Sequence, residues 1–405
     1  MKTLLLNPVV LLYLSLNLAI ELGLSFFFVT YVPFLAEKGM NLLEINIINA
    51  FFMIFVIITE MPTGSFADNF GRHRSLSLAC LLLSLGFLIY FFSSSFILFI
   101  CAEIILALGH TFSSGALEAW LVDSLNNRNQ SQLAMKVFSI EPTFKSIGLI
   151  IGVLIGSIIG DFNLGLPWLI SAIFMFIIFI LSLFLKENYR QNSNKNTEKN
   201  NLKKQLTVAW RYGLRNKDLV FIMMFIACLN FSIQALNMQW PLLFQNSYNF
   251  SSFKLGWLFV GVTFSISLGG YISYRLKSIF TEKQAIIIPQ VFTAIAIMLC
   301  AYSNSIIITV NLFLLHELGR GVIKPLEQDF INCRIESNNR ATLLSLHSVF
   351  IKIGALLGLI ISGLIASISS ISLTWFLSGT SLLIFVLIFV WRYRNEILII
   401  KSKNL

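Results

Sequence analysis

Charged residues are scarce in this sequence. Asp, Glu, Lys and Arg account for 12% of the 405 residues, whereas 57% are hydrophobic. A soluble domain carries about 25% charged residues, because its surface must be covered by water. The composition therefore excludes a soluble globular protein and predicts a chain that is embedded in a lipid bilayer.

The motifs of metal, redox and covalent chemistry are missing as well. The five cysteines occur singly, with no CxxC pair, and are expected to pack as small apolar residues. The four histidines lack the spacing of metal ligands. HExxH, GxSxG and a phosphate-binding glycine loop are absent. These absences argue against an enzyme or a signalling scaffold, and we expect neither a metal site nor a cofactor.

Long apolar stretches fill most of the chain. A helix needs roughly 20 apolar residues to cross the hydrocarbon core of a membrane. The first stretch, from Pro8, is longer than the core of a signal peptide and lacks a small-residue cleavage site, so we expect it to be retained as a span. Twelve spans are predicted, near residues 8–35, 42–66, 75–93, 95–124, 135–160, 165–186, 219–245, 252–276, 284–302, 305–331, 341–368 and 371–392.

A polar segment separates the first six predicted spans from the last six. Residues 187–218 are rich in Asn and Lys at their start and carry apolar residues at helical spacing, from Leu202 to Leu214, towards their end. This pattern predicts a flexible linker followed by a short helix on the membrane surface. The predicted fold is all-α and polytopic, with one six-helix bundle over 1–186, a basic cytoplasmic linker over 187–218 and a second six-helix bundle over 219–405.

Lys and Arg residues indicate how the chain is oriented. With the N-terminus in the cytoplasm, they concentrate in the predicted inside segments, and the predicted outside loops hold only Lys38 and Lys254. Basic residues favour the cytoplasmic side of a membrane, so both termini are predicted to be cytoplasmic. This topology, with attraction to anionic lipid, explains the net charge of +10, and nucleic acid is not an expected partner.

The two halves of the sequence resemble each other at one constant offset. FKSIGLIIG at 144–152 matches FIKIGALLG at 350–358. Three further pairs keep the same separation, namely Gly64 with Gly270, Gly115 with Gly321, and Asp123 with Asp329. The repeat predicts six spans followed by six related spans. Parallel repeats of this kind place a substrate site at their interface, near the middle of the membrane.

The segment TEMPTGSFADNFGRHRSL at 59–76 is dense in polar residues and glycine. Its part GSFADNFGRHRSL resembles the loop between spans two and three of the major facilitator superfamily, with matches at Gly64, Asp68, Gly71, Arg72 and Arg74. Together with the twelve spans, the linker and the repeat, the resemblance covers essentially the whole chain. SGALEAWLVDSL at 114–125 and RATLLSL at 340–346 are similar to prokaryotic members. The resemblance implies a monomeric bacterial transporter of the drug-efflux type in the cytoplasmic (inner) membrane.

The 59–76 segment is expected to contribute a gate on the cytoplasmic side. Gly64 would let span two approach a neighbouring helix closely, and Gly71 would permit a tight turn. The carboxylate of Asp68 is suited to accept backbone N–H bonds at a helix N-terminus. The family resemblance places that N-terminus on span eleven.

The arginines of the same segment are expected to complete the gate. Arg72 and Arg74 are predicted to pair with Asp68 and with Asp123 at the inner end of span four. Such pairs would hold the two halves together in the outward-facing state and so bias a two-state equilibrium. The alternative is that these charges only anchor the topology. In the second half Tyr274 replaces the aspartate, which predicts a weakened or absent second gate.

Ionisable and amide side chains inside the spans are functional candidates, because hydrocarbon makes them costly. The resemblance implies that spans one, four, seven and ten line a central cavity, and the strongest polar stripes fall on these spans. Glu103, His110 and Glu118 are predicted to share one face of span four. The candidates for the proton and substrate path are Asn17, Glu21, His110, Glu118, Glu141, Lys145, Asn230, Gln234, Glu317, Arg320 and Lys324.

Two roles are open for the acidic candidates. Glu21 or Glu118 is suited to load and release a proton as access alternates, with nearby cations tuning its proton affinity. Glu141 and Lys145 stand four residues apart in the order that favours an ion pair, and such a pair would instead fix helix packing.

The basic candidates of span ten leave a similar choice. Arg320 and Lys324 are suited to contact an anionic or polar substrate, or a carboxylate across the cavity. Glu317 and Arg320 are alternatively a satisfied pair that fixes packing. Glycines at every fourth position of span five, Gly148 to Gly160, and at two positions of span eleven are expected to let these helices move against the other half.

The leading hypothesis is a secondary transporter that works by alternating access. It would couple protons to the export of a small amphiphilic compound, such as a drug, a metabolite or a siderophore-like molecule. The alternative is proton-coupled uptake of a polar or anionic small molecule, which the cations on span ten favour. Competition of proton and substrate for one site would give antiport, and mutual stabilisation would give symport.

Overall fold

The computed structural model describes residues 6–185, 213, 215–335 and 340–394. Every regular element in these ranges is helical, which confirms the predicted all-α fold. The predicted surface helix between Leu202 and Leu214 lies, apart from Gly213, outside the described residues.

The first half of the chain forms helices α1 to α8, and several begin where the sequence supplies a capping residue. Asn7 accepts a hydrogen bond from the backbone N–H of Val9 at the start of α1. Asn41 and Glu44 form a capping box at the start of α3. The helices are α1 (Pro8–Ser25), α2 (Tyr31–Glu37), α3 (Leu42–Phe70), α4 (Arg72–Phe92), α5 (Phe96–Ser113), α6 (Ala116–Asn126), α7 (Ala134–Phe162) and α8 (Leu166–Ser182).

The second half forms helices α9 to α14. Thr281 and Gln284 form a second capping box at the start of α11, and the side chain of Ser370 caps α14. The helices are α9 (Lys217–Tyr248), α10 (Ser252–Ile279), α11 (Glu282–Tyr302), α12 (Ile306–Asn332), α13 (Arg340–Ile368) and α14 (Ile371–Arg392).

The predicted spans correspond to these helices. Among the described residues, eleven helical segments are long and apolar enough to cross a membrane, and α8 is a shorter apolar helix. Two spans that the sequence predicts as continuous are interrupted. Span one consists of α1 and α2 with a turn between them, and span four consists of α5 and α6. The second interruption lies at Gly115, whose φ of +70° is a conformation that favours glycine.

The described helices form two compact units. Unit 1 holds α1 to α8 together with Phe244–Trp257, and unit 2 holds α9 up to Leu243 and the chain from Leu258 onward. The end of α9 and the start of α10, which the sequence analysis assigns to the second bundle, therefore group with the first unit.

The two units pack their helices in the same pattern. In unit 1, α4 packs against α5 and α8, and in unit 2 the corresponding α11 packs against α12 and α14. In unit 1, α1 lies along α7, and in unit 2 the corresponding α9 lies against α13. This agreement is what the sequence repeat predicts for two related six-helix bodies.

Glycines let α7 and α13 reach backbone contact inside their own units. A Cβ atom on Gly148 or Gly152 would overlap the backbone of α1, at Leu18 and Leu22 respectively. In α13, a Cβ on Gly354 or Gly358 would overlap the backbone of α9 in the same way. The expectation that these glycines serve movement against the other half is therefore corrected, because they bring together helices of one bundle.

Candidate functional site

The 59–76 segment is mostly helical instead of forming a loop. α3 continues past Pro62 to Phe70, so Gly64 and Asp68 lie inside the helix. Gly71 alone interrupts the helices, with a φ of +106°, and α4 begins at the next residue. The predicted tight turn at Gly71 is thus present, and it consists of one residue.

Arg72 connects the ends of three helices. Its guanidinium lies 2.6 Å from the Asp68 carboxylate in α3 and 3.9 Å from that of Asp123 in α6. The side chain of Arg72 is only 18% exposed, so these interactions are partly shielded from solvent. Arg74 is exposed and belongs to none of the ion pairs found among the described residues, which corrects its predicted pairing.

Gly64 does not bring helices together in this structure. A Cβ atom built on it would have no other atom within 4 Å. The close approach occurs instead at the second copy of the segment, where a Cβ on Gly269 would overlap the backbone of Leu318 in α12. Among the described residues Gly64 thus makes no close contact, and its predicted role as a contact point stays a prediction.

The second copy also keeps an ion pair. Lys277, near the end of α10, binds Asp329 in α12, and Asp329 is the repeat partner of Asp123. The expectation of a weakened or absent second gate overlooked this pair. Tyr274 has replaced the aspartate, but a lysine three residues later supplies the contact to α12.

Unit 1 holds a group of ionisable side chains around Lys145, here called the Lys145 cluster, which comprises Tyr13, Glu118, Glu141 and Lys145. The ammonium group of Lys145 lies 2.5 Å from Glu141 in the same helix and 3.4 Å from Glu118 in α6. The hydroxyl of Tyr13 in α1 donates to the second oxygen of Glu141 at 2.5 Å. The cluster thus joins α1, α6 and α7, and Glu141 is its most buried acid.

Glu21 and Asn17 lie beside this cluster. Glu21 is within electrostatic range of Lys145 and Glu141, although no direct ion pair joins it to them among the described contacts. Asn17 is buried, and its amide donates to the backbone carbonyl of Tyr13 at 3.0 Å. Three carboxylates, those of Glu21, Glu118 and Glu141, therefore surround one lysine.

The predicted common face of span four does not form. Because the chain breaks at Gly115, Glu118 belongs to a separate helix from Glu103 and His110. His110 is exposed, and its ring packs edge-on against Phe52. The buried carboxylate of Glu103 accepts hydrogen bonds from the hydroxyls of Tyr31 and Tyr90 at 3.0 and 2.5 Å. Neither residue joins the Lys145 cluster.

Unit 2 contains a cavity of about 700 Å³, a size that suits a small-molecule ligand. Arg320, Lys324 and Asn230, three of the candidates for the proton and substrate path, line it. Gln234 is not among its lining residues and accepts a hydrogen bond from Asn237 at 3.2 Å.

Glu317 is buried next to Arg320 and is not among the residues that line the cavity. One nitrogen of Arg320 lies 2.9 and 3.0 Å from its two oxygens, and the side chain of Glu317 is only 5% exposed. His316 is buried next to it, with 3.8 Å between its Nε2 and a carboxylate oxygen of Glu317. This geometry agrees with the alternative that Glu317 and Arg320 form a satisfied ion pair that fixes helix packing.

Two further cavity residues were missed from the sequence. Glu327 in α12 and His347 in α13 both line the cavity, and 3.0 Å separates the His347 Nε2 from the Glu327 Oε1. Glu327 follows Arg320 by seven residues and so continues its helical stripe, which was an available signal. No local pattern marks His347, because its partner lies on another helix.

A second group missed from the sequence ties together the ends of three helices. Asp218 at the start of α9 binds Lys283 at 2.7 Å and Arg334 at 2.8 Å, and Arg334 also binds Glu282 at 2.6 Å. Burial works against the charge of Arg334, but the hydrogen bonds that it donates to the two carboxylates outweigh this effect and raise its pKa above the ordinary value. The group holds the starts of α9 and α11 to the end of α12.

Comparison with known proteins places these features in a family. The family model described as Major Facilitator Superfamily matches residues 14–326 and 220–403. The chain is 22% identical to "Uncharacterized MFS-type transporter YxaM" of Bacillus subtilis (strain 168) over 384 residues, covering 91% of this chain and 92% of that protein. It is 24% identical to "Tetracycline resistance protein, class B" of Escherichia coli over 300 residues, covering 74% of this chain and 73% of that protein.

Solved structures of transporters share the fold. The nucleoside transporter NupG matches with a TM-score of 0.79 at 14% identity, covering 96% of this chain and 99% of that one. A bacterial homologue of the human lysosomal transporter Spinster, in an inward-facing and unoccupied conformation, matches with a TM-score of 0.74 at 12% identity, with 96% of each chain covered. From the family model and these relatives it follows that this multi-pass membrane protein is a transporter and not an enzyme, and that it belongs to the major facilitator superfamily.

Proposed function

We propose that the protein is a proton-coupled secondary transporter that exports a small amphiphilic compound by alternating access. It would act as a monomeric antiporter in the bacterial cytoplasmic membrane, with both termini in the cytoplasm. The observation that carries the proposal is the Lys145 cluster with Glu21 beside it, because together they place three carboxylates near a single lysine within predicted membrane spans.

The charges of this cluster do not balance. Lys145 can neutralise one carboxylate, and Glu141 is its closest partner. With all three acids ionised, two negative charges would remain in a region of apolar helices, which is energetically costly. Taking up a proton on Glu118 or Glu21 lowers that cost, so the cluster is suited to bind and release protons as its exposure to water changes.

Glu141 and Glu118 differ in how closely other side chains contact them. Glu141 accepts from both Tyr13 and Lys145, and its side chain is 10% exposed. Glu118 is 36% exposed and lies 3.4 Å from Lys145. We therefore assign Glu141 to the permanent ion pair and Glu118, with Glu21 beside it, to the titrating role.

Export is supported by a relative. The Escherichia coli protein is named for tetracycline resistance, and it matches over most of this chain. In this proposal the contacts of Arg72 with Asp68 and Asp123, all within unit 1, hold the ends of α3, α4 and α6 in the arrangement that keeps the cytoplasmic side closed.

Transport into vesicles with an imposed pH gradient tests coupling and direction together. An antiporter concentrates its substrate in the acidic compartment, and a symporter concentrates it in the alkaline one. We expect purified protein in liposomes to move tetracycline or ethidium into an acidic lumen. Glu118→Gln should abolish this accumulation, while Glu37→Gln, which changes an exposed acid outside the cluster, should retain it.

Other results of that assay would decide against the proposal. Accumulation by Glu118→Gln at the wild-type rate would remove Glu118 from the proton path. Accumulation in the alkaline lumen would replace export by the second candidate function, proton-coupled uptake of an anionic or polar molecule. That candidate is favoured by one observation, the presence of Arg320 and Lys324 in the wall of the unit 2 cavity.

A further inference from the structure

The unit 2 cavity contains ionisable groups that the proposed proton path does not use. Arg320, Lys324 and Glu327 follow one another along one stripe of α12, and His347 faces them from α13. Glu317 neutralises Arg320 from behind the wall. The ligand that such a cavity accepts depends on the sum of these charges.

With His347 neutral, the charges of the cavity cancel. Arg320 balances Glu317, and Lys324 balances Glu327. An organic anion entering alone would leave one uncompensated negative charge among membrane helices, where such a charge is costly. A proton on His347 would restore neutrality. The anion and the proton should therefore bind together more readily than either binds alone.

His347 is well placed to take up this proton. Its side chain is 8% exposed, and its Nε2 lies 3.0 Å from the Oε1 of Glu327. A proton on Nε2 would be shared with that carboxylate. Histidine is also the side-chain type whose charge changes between about pH 5 and pH 8. When the imidazolium neutralises Glu327, the charge of Lys324 on the same stripe is left to balance an anionic ligand.

Among the residues whose side chains the structure describes, the other walls of the cavity add no charge. The lining residues of α9 are apolar except for Asn230, and α13 adds only Leu344 and Ile351 besides His347. In α14, which packs against α13, the single charged residue is Arg392 at the last position.

Charged groups on the same and neighbouring helices are engaged elsewhere or lie off the cavity. Glu282 and Lys283 of α11 bind Arg334 and Asp218. Of the other ionisable residues of α12 and α13 whose side chains the structure describes, none is among the lining residues. These are His316, which contacts Glu317, Asp329, which binds Lys277, and Lys352.

We propose that this cavity binds a small organic anion with an apolar body together with one proton on His347. The apolar body is indicated by the isoleucines and leucines that make up half of the lining, including Ile226 and Ile323. The inference rests on the second candidate function, proton-coupled uptake, because a proton and a substrate that stabilise each other's binding move together. It names the substrate class and a proton site for that function. It concerns binding, so it is testable without a gradient.

Three probes with one carbon skeleton separate charge from shape. They are 4-phenylbutyrate, its neutral amide, and the cation 4-phenylbutylamine. Binding to the full chain in lipid nanodiscs is measured by titration calorimetry in two buffers of different ionisation heat, with empty nanodiscs as background. We expect the carboxylate to bind best and to take up close to one proton. Its affinity should rise by up to about tenfold per pH unit as the pH falls from about 8 to about 6.

Two variants shift this behaviour in opposite directions, which separates a changed charge from a damaged fold. In His347→Gln, proton uptake should vanish and the affinity at acid pH should fall to the alkaline wild-type level. In Glu327→Gln, the cavity is positive without a proton, so the affinity at alkaline pH should rise towards the acidic wild-type level. Lys254→Gln, which removes an exposed lysine of unit 1, should match the wild type.

Binding of the carboxylate without proton uptake, equal binding of all three probes, or no binding of the carboxylate would each overturn the proposal. These outcomes are distinct from failure of the transport function. If co-binding persists but an imposed pH gradient drives no substrate movement, the proposed function is wrong and the cavity assignment stands. If gradient-driven transport persists in a protein that shows no proton uptake on binding, only the cavity assignment is wrong.

Discussion

At the scale of single residues, the pairing of buried charges decides what each one can do. Lys145, Glu141 and Tyr13 hold one another within hydrogen-bonding distance, whereas Glu118 is more exposed and more distant. The sequence predicts the pair of Glu141 and Lys145 because spacing along one helix brings them together. It does not predict the contact with Tyr13, or that of His347 with Glu327, because periodicity fixes only the faces of individual helices.

This pairing leads to a prediction about stability. Lys145→Met leaves the surrounding carboxylates without a counter-ion, and Glu141→Gln leaves the lysine with the more distant Glu118. Each single change should lower the free energy of unfolding by roughly 3 kcal/mol. The double variant removes both members of the closest pair and leaves Glu118 and Glu21 without the lysine, so it should regain part of the loss. Thermal unfolding of the purified variants measures these differences, and simply additive losses would show that the two residues do not act as a pair.

At the scale of elements, the helices follow the apolar stretches closely. The observed helix bounds differ from the predicted ones mainly near glycine and proline residues. The sequence predicts that span two ends near residue 66, within the 59–76 segment, yet α3 continues to Phe70 with Pro62 and Gly64 inside it. Ending a helix exposes backbone groups that hydrocarbon cannot satisfy, so continuing through a proline costs less than stopping. Conversely, span four breaks at Gly115, because the chain there adopts a positive φ that no pattern in an apolar run announces.

Glycine substitutions test this difference in local packing. A Cβ on Gly152 would overlap the backbone of Leu22, whereas a Cβ on Gly64 would meet nothing within 4 Å. Gly152→Ala should therefore force α7 away from α1 and cost about 1–3 kcal/mol of stability. Gly64→Ala should be neutral or stabilise α3 by up to about 1 kcal/mol, since alanine favours a helix. Melting temperatures of the two variants report the difference, and equal losses would contradict the assigned contacts.

At the scale of the whole molecule, the repeat predicts two bodies with the same internal packing, and the structure shows this packing in both units. The polar groups, however, differ between them. Unit 1 has the Lys145 cluster, and unit 2 has a cavity with basic and acidic residues. The repeat could not reveal this difference. The two halves resemble each other mainly at apolar and glycine positions, which determine packing and not the polar groups.

The proposed gate is tested at this scale. Asp68→Asn removes the charge that lies 2.6 Å from Arg72. If this contact helps to keep the cytoplasmic side closed, cysteines introduced along that side should react faster with a membrane-impermeant thiol reagent added from the cytoplasmic face. Asn69→Asp, a neighbouring change of opposite sign on an exposed residue, provides the control. Unchanged reactivity in Asp68→Asn would refute the gating role.

The one-residue connection at Gly71 has a mechanical consequence. Because a single residue connects these two long helices, a tilt of α3 is expected to displace the first turn of α4 as well. Arg72 occupies that turn and is bound to both Asp68 and Asp123. Rotation of either helix is therefore expected to strain the contacts of Arg72 with both aspartates at once.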